Sequence, residues 1–269
     1  MNTRTFVEKM EEFSKDSRID FVKKLLVFND IDSTNSTAKN LARAGAEEGT
    51  VVIAQTQNKG RGRFDRIWQS PEGGMYLSII LRPKISLQYA SLLTFVAALT
   101  VVKTIHSYGL SATIKWPNDV RVQRKKIAGI LLESEINGDH IEYVIVGIGI
   151  NLNIDIQKLP SNIRSCSTSI SSEVGSPIRY DEFFRTLFKH FDELYKRFNE
   201  NQFEGIIREW KTFTDTLGKS ICVRTRTEQI QGIALDVDRS GFLLLKTDRG
   251  EIRKIVSGDC LHCDEAECT

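Results

Sequence analysis

Hydrophobic and polar positions follow several short periods along this chain, and these periods predict its elements. The stretch "LVFNDIDSTNSTAKNLARAGAEEGTVVIAQTQ" predicts a strand, a polar turn at 32–35, a helix that ends near Gly45 and an apolar strand at 51–54. A further strand is predicted at "MYLSIILRP", where Pro83 stops it. Strands and a helix therefore alternate in the first part of the chain.

The centre of the chain changes from a long apolar helix to consecutive strands. "SLQYASLLTFVAALTVVKTIHSYG" predicts a buried helix that Ser86 caps and Gly109 ends. "ATIKWPNDVRV", "KKIAGILLESEI" and "IEYVIVGIGINLN" predict three strands joined by short turns. Residues 180–216 return to helical spacing with one apolar face. Together these elements predict an α+β fold with a mixed, largely antiparallel sheet covered by helices.

A different pattern begins near residue 217 and predicts a separate small domain. Short strands with turns at 227–229, 238–241 and 248–250 are typical of a β-barrel of about 45 residues. We therefore predict four parts: a short N-terminal helical extension at 1–24, a main domain at 25–216, a small β-barrel at 217–262 and a tail at 263–269.

Composition and charge narrow the class of protein. A chain of 269 residues that is 41% hydrophobic and 27% charged can bury a core. It has no run of roughly 18 uncharged apolar residues and no secretory N-terminal run, so we expect a cytoplasmic protein without membrane contact. A net charge of +2 does not favour a polycationic nucleic-acid binder. The odd number of cysteines, 5, predicts free thiols.

A basic, glycine-rich loop is the first candidate for chemistry. "KGRGRFDRIWQSPEGG" at 59–74 carries Lys59, Arg61, Arg63 and Arg66 between two predicted strands. Glycine-arginine segments also occur in solvated loops and in RNA-binding proteins, so the loop alone leaves those roles open. Its anchored ends and its like-charged middle favour a flap that closes over a small anion.

Four further motifs accompany this loop. "DSTN" opens the first helix, "KWPND" ends a predicted strand, "KKIAGILLES" begins another and "GIGINLN" ends a third. Each alone is compatible with a structural role. In this order and at these spacings, all five closely resemble the biotin protein ligases over residues 28–262. The resemblance implies a class II synthetase-like catalytic domain followed by an SH3-like β-barrel.

The resemblance also implies a reaction. Members of that family join biotin to ATP, release pyrophosphate, and transfer the biotinyl group from biotinyl-5'-AMP to one lysine of a biotin carboxyl carrier protein domain. Two anions meet in the first step, so fixed cations and Mg²⁺ are needed to offset their repulsion. Biotin, ATP and Mg²⁺ are therefore the expected ligands, the carrier domain is the expected partner, and a homodimer is left open.

Residue roles follow from the same resemblance. The implied biotin-binding residues are Ser33, Thr34, Asn35, Gln57, Arg61, Gly62, Arg63, Lys126 and Gly129. The implied ATP-binding residues are Arg61, Arg63, Arg66, Trp68, Lys115, Asn118, Lys126 and Asn151. Within these sets, Lys126 is expected beside the reacting carboxylate and the α-phosphate, Arg63 on the adenylate, and Trp68 over the adenine.

Asp119 is a third catalytic candidate beside Lys126 and Arg63, because it is the only carboxylate of "KWPND". We expect it to orient the incoming lysine ammonium; the alternative is that it only caps the turn. Asp65 stands where many relatives have Gly. Aspartate tolerates a left-handed backbone, but its charge lies next to the expected anion site.

Several rival functions stay open. A lipoate-protein ligase performs the same adenylation on another acid, and a non-enzymatic protein could bind RNA through the basic loop. Some relatives double as repressors through an N-terminal winged helix of roughly 60 residues; only about 25 residues precede the catalytic domain here, so we expect no such module. The terminal "CLHCDEAEC" has a metal-like spacing but is more typical of a tail, so no metal site is assigned.

Overall fold

The computed structural model describes residues 6–8, 10 and 19–262. Residues 6–8 and 10, within the predicted N-terminal extension, are helical, and Phe6 and Met10 are buried in the main core. The remainder of that extension up to residue 18, and the predicted tail at 263–269, lie outside the described residues.

Seven strands form the main sheet: β1 (Lys24–Ile31), β2 (Thr50–Gln57), β3 (Met75–Leu81), β4 (Ala112–Lys115), β5 (Asp119–Val122), β6 (Lys125–Asn137) and β7 (His140–Ile150). Their order in the sheet is β1-β2-β3-β7-β6-β5-β4. β1 and β2 are parallel, and the other neighbours are antiparallel. The predicted mixed, largely antiparallel sheet is confirmed.

The helices are α1 (Thr34–Arg43), α2 (Leu93–His106), α3 (Ser161–Arg164), α4 (Ile170–Val174), α5 (Tyr180–Asn199) and α6 (Phe203–Phe213). α1 connects the parallel pair β1 and β2, which cannot be joined by a tight turn. α2 is buried along most of its length and packs against α5 and α6. In its first turn Phe95 stacks on Trp210 of α6, with ring centroids 4.2 Å apart.

The predicted long apolar helix is not one regular helix. It begins as a 3₁₀ segment at Leu87–Leu92, and α2 follows directly. By length and composition alone Leu87–His106 could span a membrane, so the expectation that no stretch approaches this composition is wrong. However, 67% of the most apolar 18-residue segment within Leu87–His106 is buried inside the fold. The apolar composition therefore reflects a core helix covered by the sheet and by α5 and α6.

The motif "KWPND" forms a hairpin turn at the end of β4, so the prediction that "ATIKWPNDVRV" is a single strand is wrong. β4 ends at Lys115 and β5 begins at Asp119, and these two residues pair across the turn. The peptide between Trp116 and Pro117 is cis. Trp116 is buried, and its Nε1 donates to the carbonyl of Gly241 at 3.3 Å. The turn thus faces the second sheet of the protein.

That second sheet is antiparallel and has five strands: β8 (Ser220–Arg224), β9 (Gln229–Val237), β10 (Leu243–Thr247), β11 (Ile252–Ile255) and β12 (Asp259–His262). Their order is β11-β10-β9-β8-β12. The predicted small β domain is confirmed, while its boundary near residue 216 stays a prediction. Asp215 lies between the two sheets, where its Oδ2 accepts from Arg121 Nη2 of β5 at 2.5 Å. This contact fixes the linker before the barrel.

Candidate active site

One cavity of about 1000 Å³ is lined by every site residue predicted from the sequence. The predicted residues come from the start of α1, the end of β2, the basic loop, the hairpin between β4 and β5, the strands β6 and β7, and Asn151. The barrel adds Arg224, Asp259 and His262 to the wall. The fold therefore brings all five sequence motifs to one place, while the role of each residue stays a prediction.

One end of the cavity is uncharged and rich in hydrogen bonds. Ser33 caps α1, and its side chain accepts from the backbone N–H of Ser36. The Thr34 N–H donates to Gln57 Oε1 at 2.8 Å, and the Thr34 hydroxyl donates to the same oxygen at 3.1 Å. Gln57 Nε2 in turn donates to Ser70 Oγ at 2.8 Å. Each polar group is therefore held in one orientation before a ligand arrives.

Ser78 belongs to this polar end but was not predicted from the sequence. Its hydroxyl is fully buried in β3 and lies 2.8 Å from Thr34 Oγ1 and 2.6 Å from Asn35 Oδ1. In "MYLSIIL" a single serine only interrupts an apolar run, so no local pattern marks it. Ser78 of β3 therefore holds the side chains of Thr34 and Asn35 in place.

A channel lined by glycines leads away from the polar end. The indole of Trp68 lies directly against these glycines and forms one wall of the channel: a Cβ added at Gly149 would lie 2.5 Å from Trp68 Nε1, and one at Gly129 would lie 2.8 Å from its Cζ3. Larger residues at these two positions would displace the ring. Trp68 Nε1 is buried without a hydrogen-bond partner among the described residues. The channel is therefore flat, apolar and narrow.

Lys126 lies where the channel meets the charged end of the cavity. Its Nζ is 2.6 Å from Asp119 Oδ1 and 5.2 Å from the centre of a Trp68 ring. The backbone of Lys126 is fixed as well, since its N–H donates to the Cys166 carbonyl at 2.7 Å. Burial of about two thirds of the Lys126 side chain weakens solvent screening of its charge. A ligand carboxylate or phosphate would meet this ammonium first.

The basic loop is folded into a short 3₁₀ turn at Arg63–Asp65. Phe64 and Asp65 have positive φ angles of 54° and 59°, and Gly62 N–H donates to the Arg66 carbonyl at 2.7 Å. The left-handed conformation expected for Asp65 is therefore present. Aspartate can adopt it at lower cost than most residues.

Two of the loop cations, Arg63 and Arg66, turn toward the barrel. Arg63 donates to Asn118 Oδ1 at 3.3 Å, to Ser257 Oγ at 2.8 Å and to the Gly258 carbonyl at 3.1 Å. Burial lowers the pKa of Arg63, which still leaves the guanidinium charged at neutral pH. Arg66 forms an ion pair with Asp259 of β12. The barrel therefore holds the flap, and sequence patterns did not indicate this contact.

Asn151 lies at the end of β7 and is held by the backbone. Its Nδ2 donates to the Thr168 carbonyl at 3.0 Å, and its own carbonyl accepts from the Ile170 N–H at 2.9 Å. These bonds connect β7 to the start of α4. Lys115 and Asn118 line the same cavity from the hairpin turn, and Asn118 Nδ2 donates to the Ile130 carbonyl at 2.8 Å.

The cysteines only partly follow the prediction. Cys222 and Cys260 are buried and not disulfide-bonded, as expected, but Cys166 is disulfide-bonded, so the prediction of thiols is wrong for it. Cys263 and Cys268 of the terminal motif lie outside the described residues. Across residues 6–8, 10 and 19–262, no group of three His, Cys, Asp or Glu side chains is arranged to hold a metal ion.

Comparison with known proteins identifies the class. The model of the biotin/lipoate A/B protein ligase family matches residues 27–151, and that of the biotin protein ligase C terminal domain matches residues 216–262. The chain is 38% identical over 237 residues to the bifunctional ligase/repressor BirA of Bacillus subtilis, which covers 87% of this chain and 73% of that protein. It therefore belongs to the biotin/lipoate A/B protein ligase family.

Further relatives narrow this class to the biotin protein ligases. The chain is 34% identical over 229 residues to the biotin–[acetyl-CoA-carboxylase] ligase of Paracoccus denitrificans, with coverage of 81% and 92%. The biotin protein ligase of Aquifex aeolicus, solved with biotin and ATP, superposes with a TM-score of 0.74 at 30% identity, and the match covers 89% of this chain and 98% of that one. The lipoate and RNA-binding alternatives are not favoured.

Proposed function

We propose that this chain activates biotin with ATP and transfers the biotinyl group to one lysine of a biotin carboxyl carrier protein domain. The observation that carries the proposal is a single cavity in which an uncharged polar end and a cationic end meet at Lys126. The ureido ring of biotin has two N–H donors and one strong acceptor, which suits Ser33, Thr34 and Gln57. Its carboxylate, at the other end of a flexible chain, then lies near Lys126.

In the first half-reaction, a carboxylate oxygen of biotin attacks the α-phosphorus of ATP and the bond to pyrophosphate breaks. Lys126 offsets the repulsion between the two anions, and Arg63 with Arg66 stabilises the charge on the phosphates. Arg63 and Arg66 must exchange some of their bonds to the barrel for bonds to phosphate. The flap is thereby closed by the substrate itself.

In the second half-reaction, the acceptor lysine attacks the biotinyl carbonyl and AMP leaves. The acceptor must lose a proton first, because its ammonium form has no free electron pair. Asp119 is the carboxylate nearest to the reacting centre and serves to orient the ammonium and to accept this proton. No nucleophilic side chain of the ligase is required, since both nucleophiles belong to the substrates.

Trp68 and Asn151 were both predicted to bind the nucleotide, but their contacts favour other roles. Trp68 lies in the glycine channel beside Lys126, so its ring is better suited to wall the acyl chain than to cover the adenine. Asn151 already donates to the Thr168 carbonyl, so it contributes to the adenine region mainly by holding the segment before α4. We propose that Arg63, Arg66, Lys115, Asn118 and Lys126 bind the nucleotide. Arg61 was expected to contact both substrates, but because it pairs with Glu133 of β6 we assign it to biotin alone.

Mg²⁺ is proposed as part of the ATP substrate. The acidic residues of the cavity wall are Asp65, Asp119 and Asp259. Asp119 and Asp259 each form an ion pair with a cation, and the described residues contain no cluster of three metal-binding side chains. The phosphates supply the oxygen ligands that Mg²⁺ prefers. We further propose a cytoplasmic location, where carboxylase carrier domains are biotinylated, and keep a homodimer as a prediction for sedimentation analysis.

Pyrophosphate exchange into ATP tests the proposal. Labelled pyrophosphate should enter ATP only when biotin and Mg²⁺ are present, and lipoate should not replace biotin. Lys126→Ala should lower this exchange by about three orders of magnitude, because a preorganised charge at the reacting centre is lost. Lys84→Ala, at an exposed lysine outside the cavity wall, is the control. Exchange that proceeds without biotin, or with lipoate alone, would contradict the proposed substrate.

A further inference from the structure

Glu133 joins two parts of the site, although no sequence motif assigned it a role. It lies on β6, and its Oε2 accepts from Asn35 Nδ2 at 2.9 Å. Its Oε1 and Oε2 also accept from Arg61 Nη1, at 2.9 and 3.2 Å. The Glu133 side chain is 18% exposed and the Arg61 side chain 45%, so water screens this ion pair mainly from the arginine side. One carboxylate thus connects the start of α1 with the basic loop.

The Glu133 carboxylate determines the orientation of the Asn35 side-chain amide. An ionised carboxylate can only accept hydrogen bonds, so the amide must turn its Nδ2 toward Glu133. Asn35 Oδ1 then faces Ser78 Oγ at 2.6 Å. Gly147 leaves room for this arrangement, because a Cβ there would lie 2.0 Å from Asn35 Oδ1. The amide therefore has a single orientation at the polar end of the cavity.

The Glu133 carboxylate also orients the Arg61 side chain. Gly60 and Gly62 flank this arginine, so its neighbours offer no side chain to pack against. When a ligand orders an arginine side chain that was mobile before, the lost rotamer entropy costs up to about 2 kcal/mol. Glu133 supplies a fixed anchor, since β6 is paired with β7 at this position, with Glu133 opposite Ile145. Arg63 and Arg66 face the barrel, whereas Arg61 is drawn toward Asn35.

We propose that Glu133 is a positioning residue for biotin. It acts through Asn35 and Arg61, holds both in the arrangement that receives the acid, and leaves the nucleotide end of the cavity unaffected. This inference rests on the proposed function. It predicts a division between the two substrates: the KM for biotin depends on Glu133, and the KM for ATP does not.

Glu133→Gln, measured by pyrophosphate exchange, tests this division. Glutamine keeps the shape but loses the charge and turns a donor toward one of its two partners, so the KM for biotin should rise about tenfold while the KM for ATP stays within about twofold. Glu135→Gln is the matched control. Glu135 lies two residues further along β6 and pairs with Arg43 at 3.0 Å, away from the cavity. It should change neither KM.

A double-mutant cycle separates positioning from a general structural effect. In an Arg61→Ala background, Glu133→Gln should raise the KM for biotin by a clearly smaller factor, because one of its two partners is already gone. Glu133→Asp, which keeps the charge at shorter reach, should show the same division to a smaller degree and replaces Glu133→Gln if that variant does not fold.

The inference is overturned if both KM values rise together, if neither rises, or if Glu135→Gln gives the same result as Glu133→Gln. A wild-type enzyme that shows no biotin-dependent exchange would instead contradict the proposed function. The two failures are therefore distinguishable, because the second is measured before any variant is made.

Discussion

At the scale of single residues, the pair of Lys126 and Asp119 is the most informative contact. The sequence left two roles open for Asp119, a turn cap and a chemical group. In the structure the turn is tied to β6 by Asn118, whose Nδ2 donates to the Ile130 carbonyl, while the Asp119 carboxylate contacts Lys126. The backbone of Asp119 thus belongs to the hairpin, while its carboxylate contacts Lys126, which supports the chemical role proposed for it.

Asp119→Asn should slow the transfer step and make it pH-dependent. A lysine amine with an ordinary pKa near 10.4 is mostly protonated at neutral pH, so without the carboxylate the rate should follow the free amine and rise about tenfold per pH unit. The measurement is single-turnover transfer from preformed biotinyl-5'-AMP between about pH 7 and about pH 9. Lys126→Ala keeps the carboxylate and should not steepen this profile. A profile as shallow as that of the wild type would refute the role of Asp119.

Residue by residue, sequence reasoning found what is encoded locally and missed what depends on distant contacts. Ser33, Arg63 and Lys126 stand in compact motifs, so their resemblance to a family could be seen without a structure. Glu133 contacts a loop residue 72 positions away, and Asp259 contacts one 193 positions away. Glu133 stands inside "KKIAGILLES" without an assigned role, and Asp259 stands outside the five motifs, since no local period marks an ion pair between remote elements.

At the scale of elements, the helical layer contains a titratable contact that links α2, α5 and α6. Lys103 of α2 lies 3.0 Å from Glu209 of α6 and 3.5 Å from Glu193 of α5. Glu209 also pairs with Arg197 at 2.6 Å. His190 of α5 lies in the same region, and burial, followed by the charge of Lys103, lowers its pKa. The neutral imidazole is thus the form that fits between these helices.

This lowered pKa predicts acid sensitivity of the helical layer. Because unfolded His190 takes up its proton near pH 6.5 and the folded residue takes it up at lower pH, a fall in pH through this window favours the unfolded chain. The wild-type free energy of unfolding should therefore fall between about pH 7.5 and about pH 5.5. In His190→Gln this fall should be smaller, by an amount that corresponds to the uptake of less than one proton. Urea unfolding at both pH values measures this. His140→Gln, at the exposed start of β7, is the control, and an equal slope in wild type and His190→Gln would contradict the assignment.

The limits of sequence patterns differ between elements. The apolar period of α5 was sufficient to predict a covering helix, because its buried side chains repeat every three or four residues. β4 and β5 were predicted as one strand, because each has only four residues and the turn between them contains a buried tryptophan. A tertiary contact of Trp116 with Gly241 stabilises a turn there that composition alone does not indicate.

At the scale of the whole molecule, the basic loop is held by acids and carbonyls from separate parts of the fold. Lys59 pairs with Asp32 at 2.8 Å, next to β1. Arg61 pairs with Glu133 of β6, and Arg66 pairs with Asp259 of the barrel. The loop cations are therefore neutralised by the protein, so repulsion among them does not force the flap open. Substrate phosphates must compete with the barrel for the same guanidinium groups.

The contact between Arg66 and Asp259 should therefore control how readily the flap opens. Asp259→Asn removes the charge that holds Arg66, and a partly exposed ion pair of this kind is worth roughly 0.5–1 kcal/mol, or about two- to fivefold in the open population. Trypsin should cleave within residues 59–66 faster by about this factor, as measured by mass spectrometry of the fragments. Glu228→Gln is the matched control, because it breaks an arginine pair with Arg253 inside the barrel, 2.8 Å long, without touching the loop. Biotin with MgATP should restore protection in Asp259→Asn, since the phosphates give Arg66 a new anionic partner.

If Asp259→Asn and Glu228→Gln are both cleaved at the wild-type rate, the barrel does not hold the flap through this pair. If both are cleaved faster to the same degree, the effect belongs to barrel stability and not to the contact with Arg66.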